Sequence, residues 1–584
     1  MPIMGYPGEN DTAAPARAHS GRGAAAWMLG MPIEEFSCVE NGTEIAADLC
    51  IVGSGPAGLT IARELAGTGI DVLVVESGGL EPDPGIDALS RIVSVGAPRI
   101  LEPTHVRNRI FGGSSHGWSG RCASFDDLDF AARPFVPLSG WPVAPAALAP
   151  YVARATRHLG LGPDRPEGRG LAAARLRPRP PLDPALLRHV AWQFSRDPVE
   201  PQAFMRFGRR FRACTAANIR ILLHASVTHL TTGPCGAAAG TLIESLDVAN
   251  LEGRRAVIRA PTVVLCAGGI ENARLLLCSN RVCPAGVGNV HDLVGRTLMD
   301  HPRGSLLHFR LADAAAIRAI YGPYKLDSEQ GRHVFADGVA LSPAIRARRQ
   351  LLNCAAWLHE VRAPDDPIDA ARRLISRASE APGRDAWAVA SQPLRVLSGL
   401  HESLVRRRSV THKLERSHFL CAVEQRPDPD SRIRLGARRD RLGLPVAEID
   451  WRIGEQEIAS LTMLARLIEA EFTRTGLPRP IVADWVDSGR YPAGALMDAA
   501  HPSGTTRMAA DPRHGVVDEN CQVHGVEGLF IAGSSVFPTA GHANPTLMIV
   551  ALALRLADRL KARAAGQESG RRRSAEPAAG ILVG

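Results

Sequence analysis

Hydrophobic positions in this chain fall in short unbroken runs, each closed by glycine or a polar cluster. Leu49-Cys-Ile-Val52 is apolar throughout and is followed at once by Gly53, which predicts a parallel strand buried on both faces. The run from Pro56 to Leu65 changes to helical spacing, and Val72-Leu-Val-Val75 predicts a second buried strand. Strand signals return at Ile219–Leu223, Ser226–Leu230, Ala256–Ala260 and Thr262–Ala267, the last running through Gly268-Gly269 into a helix over Glu271–Leu277. A strand over Gly528–Ala532 and a helix over Thr546–Lys561 close the fold. Residues 80–215 are rich in Pro and Gly and suit extended loops with short helices such as Pro145–Leu159. Residues 300–495 mix strands with helices around 364–408.

The expected fold class is α/β: a discontinuous Rossmann-like domain with an α+β substrate domain carrying an antiparallel sheet. The expected divisions are an N-terminal leader over 1–45, a first nucleotide-binding part over 46–125, a loop and helical segment over 126–214, and a second nucleotide-binding part over 215–300. A substrate domain over 301–494, a third nucleotide-binding part over 495–563 and a disordered basic tail over 564–584 complete the chain.

Gly53, Gly55 and Gly58 stand in G-x-G-x-x-G spacing between the first strand and its helix, and Glu76 ends the second strand. The first glycine serves a tight turn, the second lets backbone approach a pyrophosphate, and the third lets helix pack on strand. The helix start offers N–H groups and positive dipole to that phosphate, and the carboxylate suits ribose hydroxyls. A strand, glycines, helix, strand and acid in one unit of about 30 residues make a dinucleotide site a specific expectation.

Composition narrows the class. The 584 residues exceed one common domain, and 45% apolar with 22% charged residues describes a chain with a large core and an ordinary surface. The net charge of +8 is carried partly by the tail, and the runs Arg346-Ala-Arg-Arg349 and Arg406-Arg-Arg408 lack interleaved aromatics. They read as solvated helix faces, not a nucleic-acid surface. The 11 cysteines are scattered without a C-x-x-C pair, which favours a reducing, cytoplasmic setting over a disulfide framework or zinc site. No stretch approaches 18 uninterrupted apolar residues, so no membrane span is expected.

Three further segments carry chemistry. Arg107-Asn-Arg-Ile-Phe-Gly-Gly-Ser-Ser-His-Gly-Trp-Ser-Gly-Arg121 contains a loop of small residues whose backbone must lie against something flat or charged. Ala500-His-Pro-Ser-Gly-Thr-Thr-Arg-Met508 follows, and then Phe530-Ile-Ala-Gly-Ser-Ser-Val-Phe-Pro-Thr-Ala-Gly-His-Ala-Asn-Pro-Thr546, a strand and loop leading into a helix with Asn and Pro at its start. With Val264-Leu-Cys-Ala-Gly-Gly-Ile-Glu-Asn-Ala-Arg274 and Asp428-Pro-Asp-Ser-Arg-Ile433, in this order, they resemble the glucose–methanol–choline (GMC) family of FAD-dependent oxidoreductases. The likeness spans most of 46–300 and 415–562 and is nearest the pyranose oxidase and fructose or gluconate dehydrogenase branch; residues 310–415 match nothing recognisable.

The resemblance implies that His501 is the catalytic histidine and Asn544 its partner. A neutral imidazole can take a hydroxyl proton near neutral pH, and an amide donor can hold the substrate oxygen as charge develops on it. His542, two residues before Asn544, would line the pocket behind them. The family pattern places adenosine near Glu76, Ser77 and Val227, and pyrophosphate on Gly53, Gly55, Ala57, Gly58, Gly533 and Ser534. Ala267, Gly268 and Asn272 close the same site, and the flavin ring would lie against Gly112, Gly113, Ser114, Trp118, Pro545 and Thr546. Trp118 reads equally as core. No metal site is expected. Relatives that link FAD covalently carry a histidine where this chain has Gly117, with His116 one residue short, so non-covalent FAD is expected. The implied reaction is FAD-dependent oxidation of a CH–OH group of a free sugar, glycoside, aminosugar or other polyol. Oxygen, a quinone or another carrier would take the electrons. Oxidation of a non-sugar alcohol, or a non-redox lyase or isomerase on the same fold, are the alternatives.

Overall fold

The computed structural model describes residues 33–575 apart from 163–177, 198–199, 201–202, 212–215, 235–240, 329–330, 402–411 and 489. The expected Arg406–Arg408 face and the end of the tail lie outside these residues.

A six-stranded sheet forms the nucleotide half, in the order Ile33–Glu35, Ile219–Leu223, Val72–Val75, Leu49–Val52, Thr262–Leu265, Leu529–Ile531, and every pairing is parallel. Parallel neighbours need crossovers that cover both faces, which is why Leu49–Val52, Val72–Val75 and Thr262–Leu265 are buried along their whole length. The helix Pro56–Leu65 packs on one face beside Pro145–His158 and the last helix. That last helix runs over Thr546–Ala575, past Lys561 where the sequence predicted its end. Alanine and arginine after Lys561 are strong helix formers and explain the extension. Residues 33–45, expected within a leader, supply the edge strand Ile33–Glu35 and most of the strand Glu44–Ala46 of a neighbouring sheet.

The substrate half is built on an antiparallel sheet ordered Ile481–Val482, Arg303–Phe309, Leu414–Val423, Cys354–Arg362, Gly331–Leu341, Leu187–Phe194, Arg121–Cys122. Leu187–Phe194 lies in the stretch expected to be loops and helices. One face of this sheet is covered by the helix Glu455–Arg474, whose Leu461, Leu464, Ile468 and Phe472 join Leu306, Leu307, Phe419 and Cys421 in one core. The other face carries a smaller cluster of Trp192, Trp357, Leu420 and Ala422.

Two further expectations change. Arg346, expected on a solvated face, is fully buried in the helix Pro343–Arg349. Its guanidinium donates to Asp126 at 3.0 Å and Asp129 at 2.8 Å. Asp129, fully buried, has Arg346 as its cation, while the half-buried Asp126 is shared with Arg188. Eight described cysteines are free thiols, but Cys283 is disulfide-bonded, which the scattered spacing did not indicate. No described helix is long and apolar enough to cross a membrane.

Candidate active site

Leu49–Val52, Thr262–Leu265 and Leu529–Ile531 are neighbours in the sheet, so the glycine segments after them open side by side at its carboxyl edge. Strand order reverses between the first two, which is where open α/β sheets bind ligands. A Cβ added at Gly55, Gly268 or Gly533 would meet no heavy atom within 4 Å. The helix Pro56–Leu65 starts at Gly55 with no side-chain cap, leaving its first N–H groups for an anion. Gly58 differs: its Cβ would fall 2.0 Å from the Gly53 carbonyl oxygen, so this glycine lets helix meet strand. These three open glycine positions and the uncapped helix form a cradle that fits a dinucleotide.

The other expected cofactor residues gather round it. The Gly112 N–H donates to the Ser54 carbonyl at 3.1 Å, and a Cβ on Gly113 would come 2.9 Å from Gly55 Cα. Ala57 is buried in the first helical turn. Glu76 accepts from the Ser54 N–H at 2.9 Å, the Ser54 hydroxyl at 2.6 Å and the Gly78 N–H at 2.9 Å. Burial raises its pKa, against the pull of those bonds. A carboxylate has about four acceptor positions, so one stays open to a hydroxyl. Ser77 sits beside the strand of Val227, its Oγ 2.6 Å from Ser226 Oγ, and Arg109 donates to it at 2.9 Å. Asn272 accepts from the Ala267 N–H at 2.8 Å and donates to Ser535 Oγ at 3.0 Å, which ties Gly268 to the Gly533-Ser534 segment. Ser114 is exposed in the turn Gly113–His116. Trp118 is half-buried, its indole N–H donating to the Met205 carbonyl at 2.7 Å, with Phe207 against the ring. Pro545 is buried, and Thr546 begins the last helix.

The His501 loop is fixed to the same cradle. The Ser534 hydroxyl donates to the Pro502 carbonyl at 2.7 Å, and a Cβ on Gly269 would come 2.1 Å from that oxygen. Ala500 takes the left-handed region at φ 57°, a costly conformation for a non-glycine residue that is held by its surroundings. The Asn544 amide nitrogen lies 3.4 Å from His501 Nε2, so the two expected catalytic residues meet although 43 positions apart.

Three residues that sequence spacing did not reveal complete the arrangement. Met299 and Ser503 exchange two backbone hydrogen bonds of 2.9 Å, which brings Asp300 and His301 against the His501 loop. The Asp300 carboxylate accepts from the N–H groups of His301 at 2.8 Å, Ala499 at 3.0 Å and His501 at 3.0 Å, and from Arg99 at 2.8 Å. Burial alone would raise its pKa; Arg99, with the N–H bond from His301, overcomes this and holds it below the usual carboxylate value. His301 Nδ1 is 2.9 Å from His501 Nδ1, and His301 Nε2 is 2.9 Å from the Gly541 carbonyl oxygen. His542 turns its ring edge-on to Trp192 at 5.9 Å, and burial pushes it down to about 4 although Asp126 pulls it up. Among the described residues, Asp300, His301 and His501 could also converge on a cation, as could Asp366, Asp369 and His412. In both, the carboxylates are already spent on N–H donors.

The family model described as GMC oxidoreductase matches residues 427–553, and one described as FAD dependent oxidoreductase matches residues 48–336. The C-terminal match is to the GMC oxidoreductases, and with the FAD match before it the chain is an FAD-dependent oxidoreductase. It is 24% identical over 557 residues to paromamine 6'-oxidase of Streptomyces fradiae, covering 87% of this chain and 90% of that one. It is 28% identical over 302 residues to the fructose dehydrogenase large subunit of Gluconobacter japonicus, covering 51% of this chain and 47% of the other. The solved formate oxidase structure aligns with a TM-score of 0.54 at 18% identity, covering 90% of this chain and 99% of its own. Pyridoxine 4-oxidase from Mesorbium loti aligns at 0.51 and 17%, covering 88% and 99%. At these identities the two structures speak for the GMC fold alone.

Proposed function

We propose that this FAD-dependent oxidoreductase oxidises a CH–OH group of a sugar-like molecule, whether free sugar, glycoside, aminosugar or other polyol, to a carbonyl. The observation that carries the reading is the meeting of His501 Nε2 and the Asn544 amide at 3.4 Å, beside a glycine cradle that fits FAD. Bound FAD supplies a hydride acceptor. His501 takes the hydroxyl proton, and the Asn544 N–H holds the oxygen while negative charge grows on it. Relatives named for aminosugar and fructose oxidation support the substrate class. The expected Gly117 position supports non-covalent FAD, since a Cβ there would come 2.8 Å from the His105 carbonyl oxygen and leave a linking histidine no room. Oxygen, a quinone or another carrier completes the turnover. The eight free thiols support a reducing, cytoplasmic setting, and the Cys283 disulfide weighs against it.

Stopped-flow flavin reduction under anaerobic conditions tests the roles. His501→Ala should retain FAD and slow reduction by about two to four orders of magnitude. Asn544→Ala should slow it less, because proton transfer remains. His542→Ala should stay within a few-fold of wild type, its ring being packed on Trp192. A His501→Ala enzyme reduced at the wild-type rate, with His542→Ala inactive, would move the base to His542.

A further inference from the structure

An imidazole can act as a base only through the nitrogen that lacks hydrogen, and here the surroundings decide which one that is. The Gly541 carbonyl can only accept, so His301 Nε2, 2.9 Å away, carries a hydrogen. Burial holds the His301 pKa below its ordinary value and keeps this imidazole neutral. Its Nδ1 is therefore a bare acceptor. The contact at 2.9 Å between the two Nδ1 atoms then requires His501 to donate. With its hydrogen on Nδ1, neutral His501 has its lone pair on Nε2, the atom beside Asn544.

We propose that His301 is a positioning residue that holds His501 in the Nδ1–H tautomer and so makes Nε2 the proton-accepting atom. This rests on the reading of His501 as the base. The two rings meet nearly at right angles, at 82° with centroids 5.1 Å apart, so the plane of one imidazole fixes the rotation of the other. When Nε2 takes the substrate hydroxyl proton, His501 becomes an imidazolium and its Nδ1–H bond to His301 strengthens. The proton stays on Nε2, because burial opposes charge on His301. The charged groups facing the pair are Asp300, itself paired to Arg99, with Asp129 and Glu424 behind His301.

The test compares His301→Leu, which removes both bonds, with His301→Asn, whose amide oxygen can still accept near the Nδ1 position. Full-length FAD-loaded enzymes are examined by anaerobic flavin reduction across pH, with His501→Ala alongside. His301→Leu should reduce its flavin about 10²-fold more slowly or worse, and the rising limb of its pH profile should move to lower pH, because the imidazolium has lost an acceptor. His301→Asn should recover most of the rate and return the limb toward its wild-type place. Wild-type kinetics in His301→Leu would overturn the proposal, as would equal loss in both variants with an unmoved limb, the mark of a packing role. If His301→Leu fails to fold, an Asn variant with low rate and unmoved limb overturns it equally. A wild-type rate in His501→Ala refutes instead the base assignment beneath it.

Discussion

Two glycines of the first loop, three positions apart, should fail in opposite ways when given side chains. At Gly55, with φ −73° and ψ −173°, the backbone suits any residue, and a Cβ would meet nothing within 4 Å. Gly55→Val should therefore leave the stability of the FAD-free chain within about 0.5 kcal/mol of wild type. Its side chain fills the cradle, so FAD should not bind. At Gly58 a Cβ would fall 2.0 Å from the Gly53 carbonyl oxygen, far inside contact distance. Gly58→Ala should cost at least about 1–3 kcal/mol, since helix and strand must separate. The assay is thermal unfolding with and without added FAD, with flavin content by absorbance. At a free FAD concentration of 100 Kd, wild type gains about 2.7 kcal/mol by mass action. Gly55→Val should show the wild-type FAD-free Tm, no gain and no colour, and Gly58→Ala should start with a lowered Tm. Normal flavin content in Gly55→Val, or Gly58→Ala as stable as wild type without FAD, would refute the division between cradle and packing.

Arg346→Leu should cost about 3–5 kcal/mol, seen as a fall in Tm, because it leaves the fully buried Asp129 without its cation, while Asp126 keeps Arg188. Asp366 caps the helix Pro367–Ile375; burial alone would raise its carboxyl, but bonds from His412 and the N–H groups of Lys413 and Asp369 bring it to about 2. Its pKa is depressed on folding, so its stabilisation should be present above the ordinary aspartate value of about 3.9 and disappear as pH falls through 2. Acid unfolding of Asp366→Asn should lack that component, and an unchanged acid limb would contradict the assignment.

The nucleotide half was legible because its strands are buried on both faces and leave unbroken apolar runs. Leu49–Val52 and Val72–Val75 form where those runs predicted them, as does Ile219–Leu223, interrupted only by the half-buried Arg220. Leu187–Phe194 was not legible: in Leu-Arg-His-Val-Ala-Trp-Gln-Phe the polar residues break the alternation, and cross-strand pairing with Val334–Leu341 decides its form. At the site, His501 and Asn544 stood out by their motifs. His301 and Asp300 did not, since an antiparallel bridge between Met299 and Ser503 brings them to His501 from about 200 positions away, and no local spacing encodes that contact. Arg346 misled for a related reason. A basic run gives no hint that two distant carboxylates wait beneath it.

Anaerobic titration of the purified yellow enzyme with sugars, glycosides, aminosugars and simple alcohols tests the central claim most directly. The account predicts that a sugar-like alcohol bleaches the flavin stoichiometrically and leaves one carbonyl product per flavin reduced. A flavin that stays oxidised with every such alcohol, while the enzyme eliminates or isomerises one of them, would contradict it.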